Sequence, residues 1–239
     1  NVAASNLALE LGVGKLKDFY TSLGFGKTTD ITLPNESRGI INFRYNTELV
    51  SASYGQGITV TAAQMLQALS VLSNDGVMIK PYIVSKIIDS SSGDVILENK
   101  REEIKKIASS DTVYKTLDLM RGVVDGRSSM STGTGYYIDG YDLVGKTGTA
   151  EIAGGSGYLK GSYVRSFAGL FPGENPEIVI YAAASKLGNA NALKTAVKSL
   201  VKDVGTYLNI YGDYKETDEE IDNLVSLDEQ VNAQWAQVE

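Results

Sequence analysis

Gly145-Lys146-Thr147-Gly148-Thr149-Ala150-Glu151 decides the reading of this chain. The stretch lies inside a strand pattern that runs over residues 141–152. Glycine and paired threonines fill a strand interior poorly, and a glycine there marks a place where something approaches the backbone closely. A cation beside hydroxyls on an accessible strand can hold a carboxylate or tune a neighbouring nucleophile. As letters alone, the same residues also fit an edge strand with a solvated lysine, because short motifs recur by chance.

Working outward, two more strands follow, over residues 163–171 and 178–185. Pro172-Gly173-Glu174-Asn175-Pro176 joins them in a tight reversal, so they should pair antiparallel. Ile178-Val179-Ile180-Tyr181-Ala182-Ala183 is continuously apolar, as expected of a strand covered on both faces. Residues 190–208 predict an amphipathic helix through Leu193, Val197, Leu200, Val201, Val204 and Leu208, placed to cover one of those faces. Between residues 127 and 140 the chain is rich in Ser, Thr and Gly and reads as a flexible connector. Its Thr132-Gly133-Thr134-Gly135 fits neither a Walker loop nor a dinucleotide fingerprint, and is better read as a rim near the site.

Upstream, residues 2–23 read as helical, with Leu7, Leu11, Leu16 and Phe19 near helical spacing and Gly12 and Gly14 as the break. Residues 25–57 read mostly as loop. A helix capped by Thr59 or Thr61 then carries Met65, Leu66, Leu69 and Leu72 as its apolar stripe, and Asn74-Asp75-Gly76 stops it. Residues 83–88 and 95–97 flank Ser90-Ser91-Ser92-Gly93-Asp94 as a β-hairpin. A further helix over residues 111–124 is capped by Ser110 and closed by Asp125-Gly126.

Composition removes whole classes of chemistry. The 239 residues contain no Cys and no His, so Ser-His-Asp triads, Cys-His pairs and the usual zinc sites cannot be assembled from this chain. Any base must be Lys, Asp, Glu or Tyr. The net charge of −7 is uneven: from Asp213 to Glu239 there are nine acidic residues and one lysine. That tail therefore carries −8 and the remainder about +1, which offers no basic field for nucleic acid. No apolar run reaches bilayer-spanning length. The first residues, Asn1-Val2-Ala3-Ala4, resemble neither a signal peptide nor a disordered leader, and suggest a piece of a longer protein.

Lys-Thr-Gly belongs with Ser-x-x-Lys and a Ser-x-Asn element in the signature of penicillin-binding proteins and class A β-lactamases. Gly145 to Glu151 resembles the third-motif strand of class B penicillin-binding proteins, the peptidoglycan D,D-transpeptidases. Ser53-Tyr54-Gly55-Gln56-Gly57-Ile58-Thr59-Val60-Thr61 resembles the Gly-Gln-Gly segment of that family, and Asn74-Asp75-Gly76 follows as expected there. Ser166-Phe167-Ala168-Gly169 and Glu174-Asn175-Pro176-Glu177 resemble its next hairpin. The likeness covers about residues 1–208, and the order and spacing are more specific than any single motif. A class A β-lactamase fits the Gly-Gln-Gly segment and the long region between residues 60 and 140 less well. Ala150-Glu151-Ile152-Ala153 and Gly157-Tyr158-Leu159 resemble the division-type members.

The resemblance implies a three-layer α/β transpeptidase (β-lactamase-like) fold with an antiparallel sheet, here an incomplete fragment with the last three core strands. Residues 1–210 would be the C-terminal portion of that domain, and residues 211–239 an acidic tail or linker holding at most a short helix. The implied function is cross-linking of D-Ala-D-Ala stem peptides through an acyl-serine whose serine lies upstream. A β-lactam sensor domain and a non-catalytic cell-wall-binding module of the same fold are the alternatives. The implied catalytic residues are Lys146 and Asn1, with Thr147, Gly148 and Thr149 as substrate-binding residues. Asn1 stands as the remnant of the Ser-x-Asn element, and Gln56 as a structural residue in a turn behind the site. The implied partners are stem peptides, β-lactams and division or elongation proteins, with no nucleic acid. No cofactor or metal is implied. The expected location is the extracytoplasmic face of the cell membrane, with the anchor outside this sequence. Association through the exposed sheet edge is a further expectation.

A gap comes with this reading. Ser199-Leu200-Val201-Lys202 is the one Ser-x-x-Lys in the sequence, and it falls in the late helix on a stripe with Lys194 and Lys198. It reads as a solvated face, so the chain alone is expected to be inactive.

Overall fold

The structure, a computed structural model, describes residues 1–155, 157–187, 189 and 191–210. The acidic tail, with its possible helix and linker role, lies outside the described residues. In chain order the elements are α1 (Val2–Leu11), α2 (Val13–Ser22), α3 (Asn46–Ser53), α4 (Ala62–Ser73), β1 (Val77–Ile79), β2 (Lys86–Ile88), β3 (Val95–Glu98), β4 (Glu103–Lys106) and α5 (Ser110–Asp125). A single 3-10 turn, Thr134–Tyr136, then leads to β5 (Val144–Gly154), β6 (Gly157–Phe171), β7 (Ile178–Ser185) and α6 (Asn191–Leu208).

The central sheet has the order β5-β6-β7, antiparallel throughout. Its register sets the faces. Val144 pairs Leu170, which pairs Val179. Those three side chains pack with Val113, Leu117 and Met120 of α5 and Leu72 of α4. One residue along, the opposite face carries Phe167, Phe171 and Ile180, packed against Val197 and Val201 of α6. Helices on both faces make three layers, the expected fold class. Full burial of a residue such as Phe167, at 0% exposure, contributes roughly 1.5–3 kcal/mol.

Several local expectations shift for identifiable reasons. Gly12 does break the first helix, at φ 83, whereas Gly14 lies within α2. Leu7, Leu11 and Phe19 stay exposed, while Ala8 and Leu16 join a small core with Phe43, Leu49 and Ala52. Residues 25–57 are not all loop: α3 forms where the Glu48 carboxylate accepts from the backbone N–H groups of Arg44 (2.7 Å) and Tyr45 (3.1 Å). In α4, Thr61 is the cap, its hydroxyl accepting from Gln64 N at 3.1 Å. The deepest side chains of α4 are Gln64, Gln67, Ser70 and Val71 rather than the predicted leucine stripe. Gln64 is fully buried because its amide donates to the carbonyls of Lys27 (2.7 Å) and Arg38 (2.8 Å), tying the preceding loop to the helix. The cap of α5 is Ser109, one residue before the predicted Ser110. The hairpin β2–β3 forms as expected, and the short pair β1–β4, which the sequence reading missed, closes its base. On α6, Leu200 and Leu208 are exposed, so the buried stripe is Leu193, Val197, Val201 and Gly205.

A buried ion pair locks the sheet to α5. Arg121 donates through Nε (3.1 Å) and Nη2 (3.0 Å) to both carboxylate oxygens of Asp142, which also accepts from Glu174 N at 3.0 Å. One carboxylate thereby joins α5, the entry to β5 and the β6–β7 turn.

Candidate active site

Lys146, Thr147, Gly148 and Thr149 occupy the middle of β5. Among the described residues β5 pairs with β6 alone, so it is an edge strand, with its register shifting only past Glu151. Alternation puts Lys146 and Gly148 on the α5 face and Thr147 and Thr149 on the α6 face. Lys146 and Thr149 are exposed, Thr147 and Gly148 half-buried.

The two glycines of the stretch have internal causes. A Cβ on Gly145 would overlap the ring of Phe167, with Cε2 at 2.7 Å and the Ala168 carbonyl at 2.8 Å. The Phe167 ring lies there because it stacks on Tyr136, centroids 4.0 Å apart and planes 12° apart. On the other face, a Cβ on Gly148 would overlap the hydroxyl of Ser166, its cross-strand partner. The close approach that Gly148 signalled is thus met from within the sheet.

Electrostatics leave Lys146 unneutralised. Its Nζ donates to the Thr147 carbonyl at 2.8 Å, and it makes no ion pair among the described residues. Across β6 the same row reaches Ala168 and then Tyr181. Burial pushes the Tyr181 phenol up, against a smaller lowering by its hydrogen bond with Ser166, so that group stays neutral beside the row. An ammonium, two hydroxyls and a free strand edge together suit an anionic, extended ligand.

The segment 127–140 is not the flexible connector the sequence suggested. Ser131 Oγ donates to the Gly122 carbonyl at 2.7 Å, and Gly133 N to the Val123 carbonyl at 3.0 Å. Tyr136 is buried at 4% exposure under the stack on Phe167. From this rim Thr132 brings its hydroxyl to 2.6 Å from that of Thr147. Sequence reasoning placed a rim here and missed that contact; the Ser/Thr/Gly composition was its only trace.

The remaining predicted residues fall elsewhere. Asn1 precedes α1, exposed, with its carbonyl accepting from Ser5 N and Ser5 Oγ, both at 3.0 Å. Its side chain makes no capping bond. Four of the five predicted residues thus share one strand, and no hydrogen bond joins Asn1 to it among the described residues. Ser199 and Lys202 lie exposed on α6, where the Ser199 hydroxyl faces Asp203 at 3.4 Å, and so form no nucleophile pair. Gln56 sits in the turn after α3, its N–H donating to Ser51.

The comparisons with known proteins identify the family to which this fold and strand belong. Residues 1–204 match the family described as Penicillin binding protein transpeptidase domain, and the chain belongs to that family. It is 31% identical over 181 residues to Stage V sporulation protein D of Bacillus subtilis, covering 74% of this chain and 27% of that protein. It is 30% identical over 228 residues to the Peptidoglycan D,D-transpeptidase FtsI homolog of Mesostigma viride, covering 85% of this chain and 38% of the relative. The chain thus spans about a third of the length of these relatives. Penicillin Binding Protein 2X from Streptococcus thermophilus superposes with a TM-score of 0.70 at 29% identity, over 85% of this chain and 32% of that one. Penicillin binding protein 3 from Mycobacterium tuberculosis, complexed with aztreonam, gives a TM-score of 0.77 at 24% identity, over 87% and 49%. The class B resemblance and the fold read from the sequence are borne out. No helix among the described residues is long and apolar enough to cross a membrane.

Proposed function

We propose that the polypeptide carrying this chain is a peptidoglycan D,D-transpeptidase that acts on D-Ala-D-Ala stem peptides through an acyl-serine, and that β-lactams imitate its donor. The supporting observation is Lys146: an exposed cation without an ion pair among the described residues, followed by the hydroxyls of Thr147 and Thr149 along an edge strand. Lys146 supplies positive charge to the substrate carboxylate and to the serine of the second motif. The Thr147 and Thr149 hydroxyls hold that carboxylate. The Thr149 N–H joins the nucleophile's own N–H as the oxyanion hole, whose donors typically contribute a factor of about 100 to 1,000 each. The substrate backbone lies along the free edge of β5 past Gly148 as an added strand, while the missing side chain of Gly148 makes way for the Ser166 hydroxyl. Asn1, with a side chain not spent on capping, hydrogen-bonds the substrate amide.

The attacking serine and its lysine belong to a segment outside these residues, and the chain by itself carries the binding wall. Membrane anchoring on the extracytoplasmic face, partners in division or elongation, and association through the open edge of the sheet extend the same proposal. The test is Lys146→Met in the full-length protein, with labelled-penicillin acylation as readout. Loss of at least a hundred-fold in the acylation rate with an unchanged melting temperature supports the role; a wild-type rate overturns it.

A further inference from the structure

We infer that Thr132 is a positioning residue for Thr147: its hydroxyl donates to Thr147 Oγ1 and so turns the Thr147 hydrogen outward to the ligand's carboxylate. The inference rests on the proposed carboxylate-binding role of Thr147. The two oxygens are 2.6 Å apart, within the range of a good O–H···O bond. Each hydroxyl has one hydrogen, so only one of the pair can donate to the other. If Thr147 donated, its hydrogen would be spent on Thr132 and unavailable to an anion. If Thr132 donates, Thr147 keeps its hydrogen, and the two dipoles line up and polarise each other. An incoming carboxylate, which accepts only, selects the second arrangement.

The loop is built to hold this geometry. Residues on both sides of Thr132 are tied to the end of α5, through Ser131 Oγ to Gly122 O (2.7 Å) and Gly133 N to Val123 O (3.0 Å). A Cβ on Gly133 would stand 2.7 Å from that same carbonyl, so a larger residue would push the loop off. Three residues on, Tyr136 stacks on Phe167, and Phe167 is the register partner of Thr147. The loop is therefore anchored to the helix on one side and, on the other, to the β6 residue opposite Thr147. Thr132 itself is exposed, so its hydroxyl is not needed to satisfy a buried group.

The test uses the full-length protein, with the pre-acylation dissociation constant and the acylation rate constant for a labelled penicillin measured separately. Thr132→Val keeps the shape and removes the donor. It should weaken pre-acylation binding roughly three- to ten-fold, the range of one neutral hydrogen bond. The rate constant for acylation should change little and the melting temperature not at all. Thr132→Ser should behave as wild type. The penicillin methyl ester, which lacks the carboxylate charge, should be bound equally by wild type and Thr132→Val. Thr147→Val should lose more than Thr132→Val, and the double variant should be no weaker than Thr147→Val alone, because Thr132 acts through Thr147. Multiplying losses in the double variant, equal weakening for the ester, or wild-type binding by Thr132→Val would each overturn the inference. Wild-type binding by Thr147→Val would instead overturn the carboxylate role on which it rests.

Discussion

Substituting Gly145 by Ala tests whether the strand that carries Lys146 is held by the aromatic stack beneath it. The new Cβ would come to 2.7 Å from Phe167 Cε2 and 2.8 Å from the Ala168 carbonyl, and closer still to Phe167 Cζ. Ordinary carbon contact begins at 3.4 Å, so the ring must retreat by at least about 0.7 Å. It has nowhere free to go: Phe167 is 0% exposed, rests on Tyr136, and lies against Gly169, where a Cβ would sit 2.5 Å from Cε1. Overpacking of this kind costs about 1–3 kcal/mol. For a chain of this size each kcal/mol is worth about 2–4 °C, so the melting temperature should fall by roughly 2–12 °C. Near-ultraviolet circular dichroism during heating is the assay, because it follows the loss of fixed packing around the aromatic side chains. Phe167→Leu should also destabilise, but the double variant Gly145→Ala/Phe167→Leu should lose less than the two single losses together, since the smaller side chain vacates the contested space. Additive losses, or a Gly145→Ala protein that melts with the wild type, would refute the account of why glycine stands there.

Other outcomes follow from the same structure. Asp142→Asn removes the nearer counter-charge of the buried Arg121 guanidinium, leaving Asp118 at 3.9 Å, and should cost up to about 3–5 kcal/mol in urea unfolding; a loss below about 1 kcal/mol would contradict the ion pair's role. Gln64→Ala orphans the carbonyls of Lys27 and Arg38, so hydrogen exchange of residues 25–40 should rise sharply while β5–β7 stay protected, and uniform exchange would argue against the tether. Burial raises the Glu36 carboxyl, but hydrogen bonds from the Thr29 hydroxyl and the N–H groups of Thr29, Asp30 and Ile31 outweigh it and hold the group below its ordinary 4.5. Its folded pKa being depressed, the stability it contributes is present above pH 4.5 and is lost as pH falls through the folded value. Glu36→Gln should flatten that acid limb, and an unchanged acid profile would rule out the assignment. Residues 1–239 alone should form no stable adduct with labelled penicillin, since their one Ser-x-x-Lys faces solvent on α6; a stable adduct would sink this reading.

By itself the sequence determined three closing strands, the antiparallel pairing of the last two, the covering helix and the strand proposed to bind substrate. These are local matters. The turn at Pro172 to Pro176 fixes the hairpin, apolar continuity marks Ile178–Ser185 as covered on two faces, and Lys146 to Thr149 carry their chemistry in consecutive letters. Where the reading was less complete, the deciding contacts joined residues far apart in the chain. Gln64 is buried because carbonyls 37 and 26 residues away need its amide, which no helical stripe can announce. Short strands such as Val77–Ile79 exist only once Glu103–Lys106 arrives to pair with them. Gly145 and Gly148 read equally well as room for a ligand until the sheet register laid Phe167 over one and Ser166 over the other. The contact between Thr132 and Thr147 needed α5, the Tyr136 stack and the edge of β5 to be in place together. Periodicity and turn chemistry are written in neighbouring residues, whereas a hydroxyl's partner 15 positions away is set by packing alone, and only the tertiary structure could decide it.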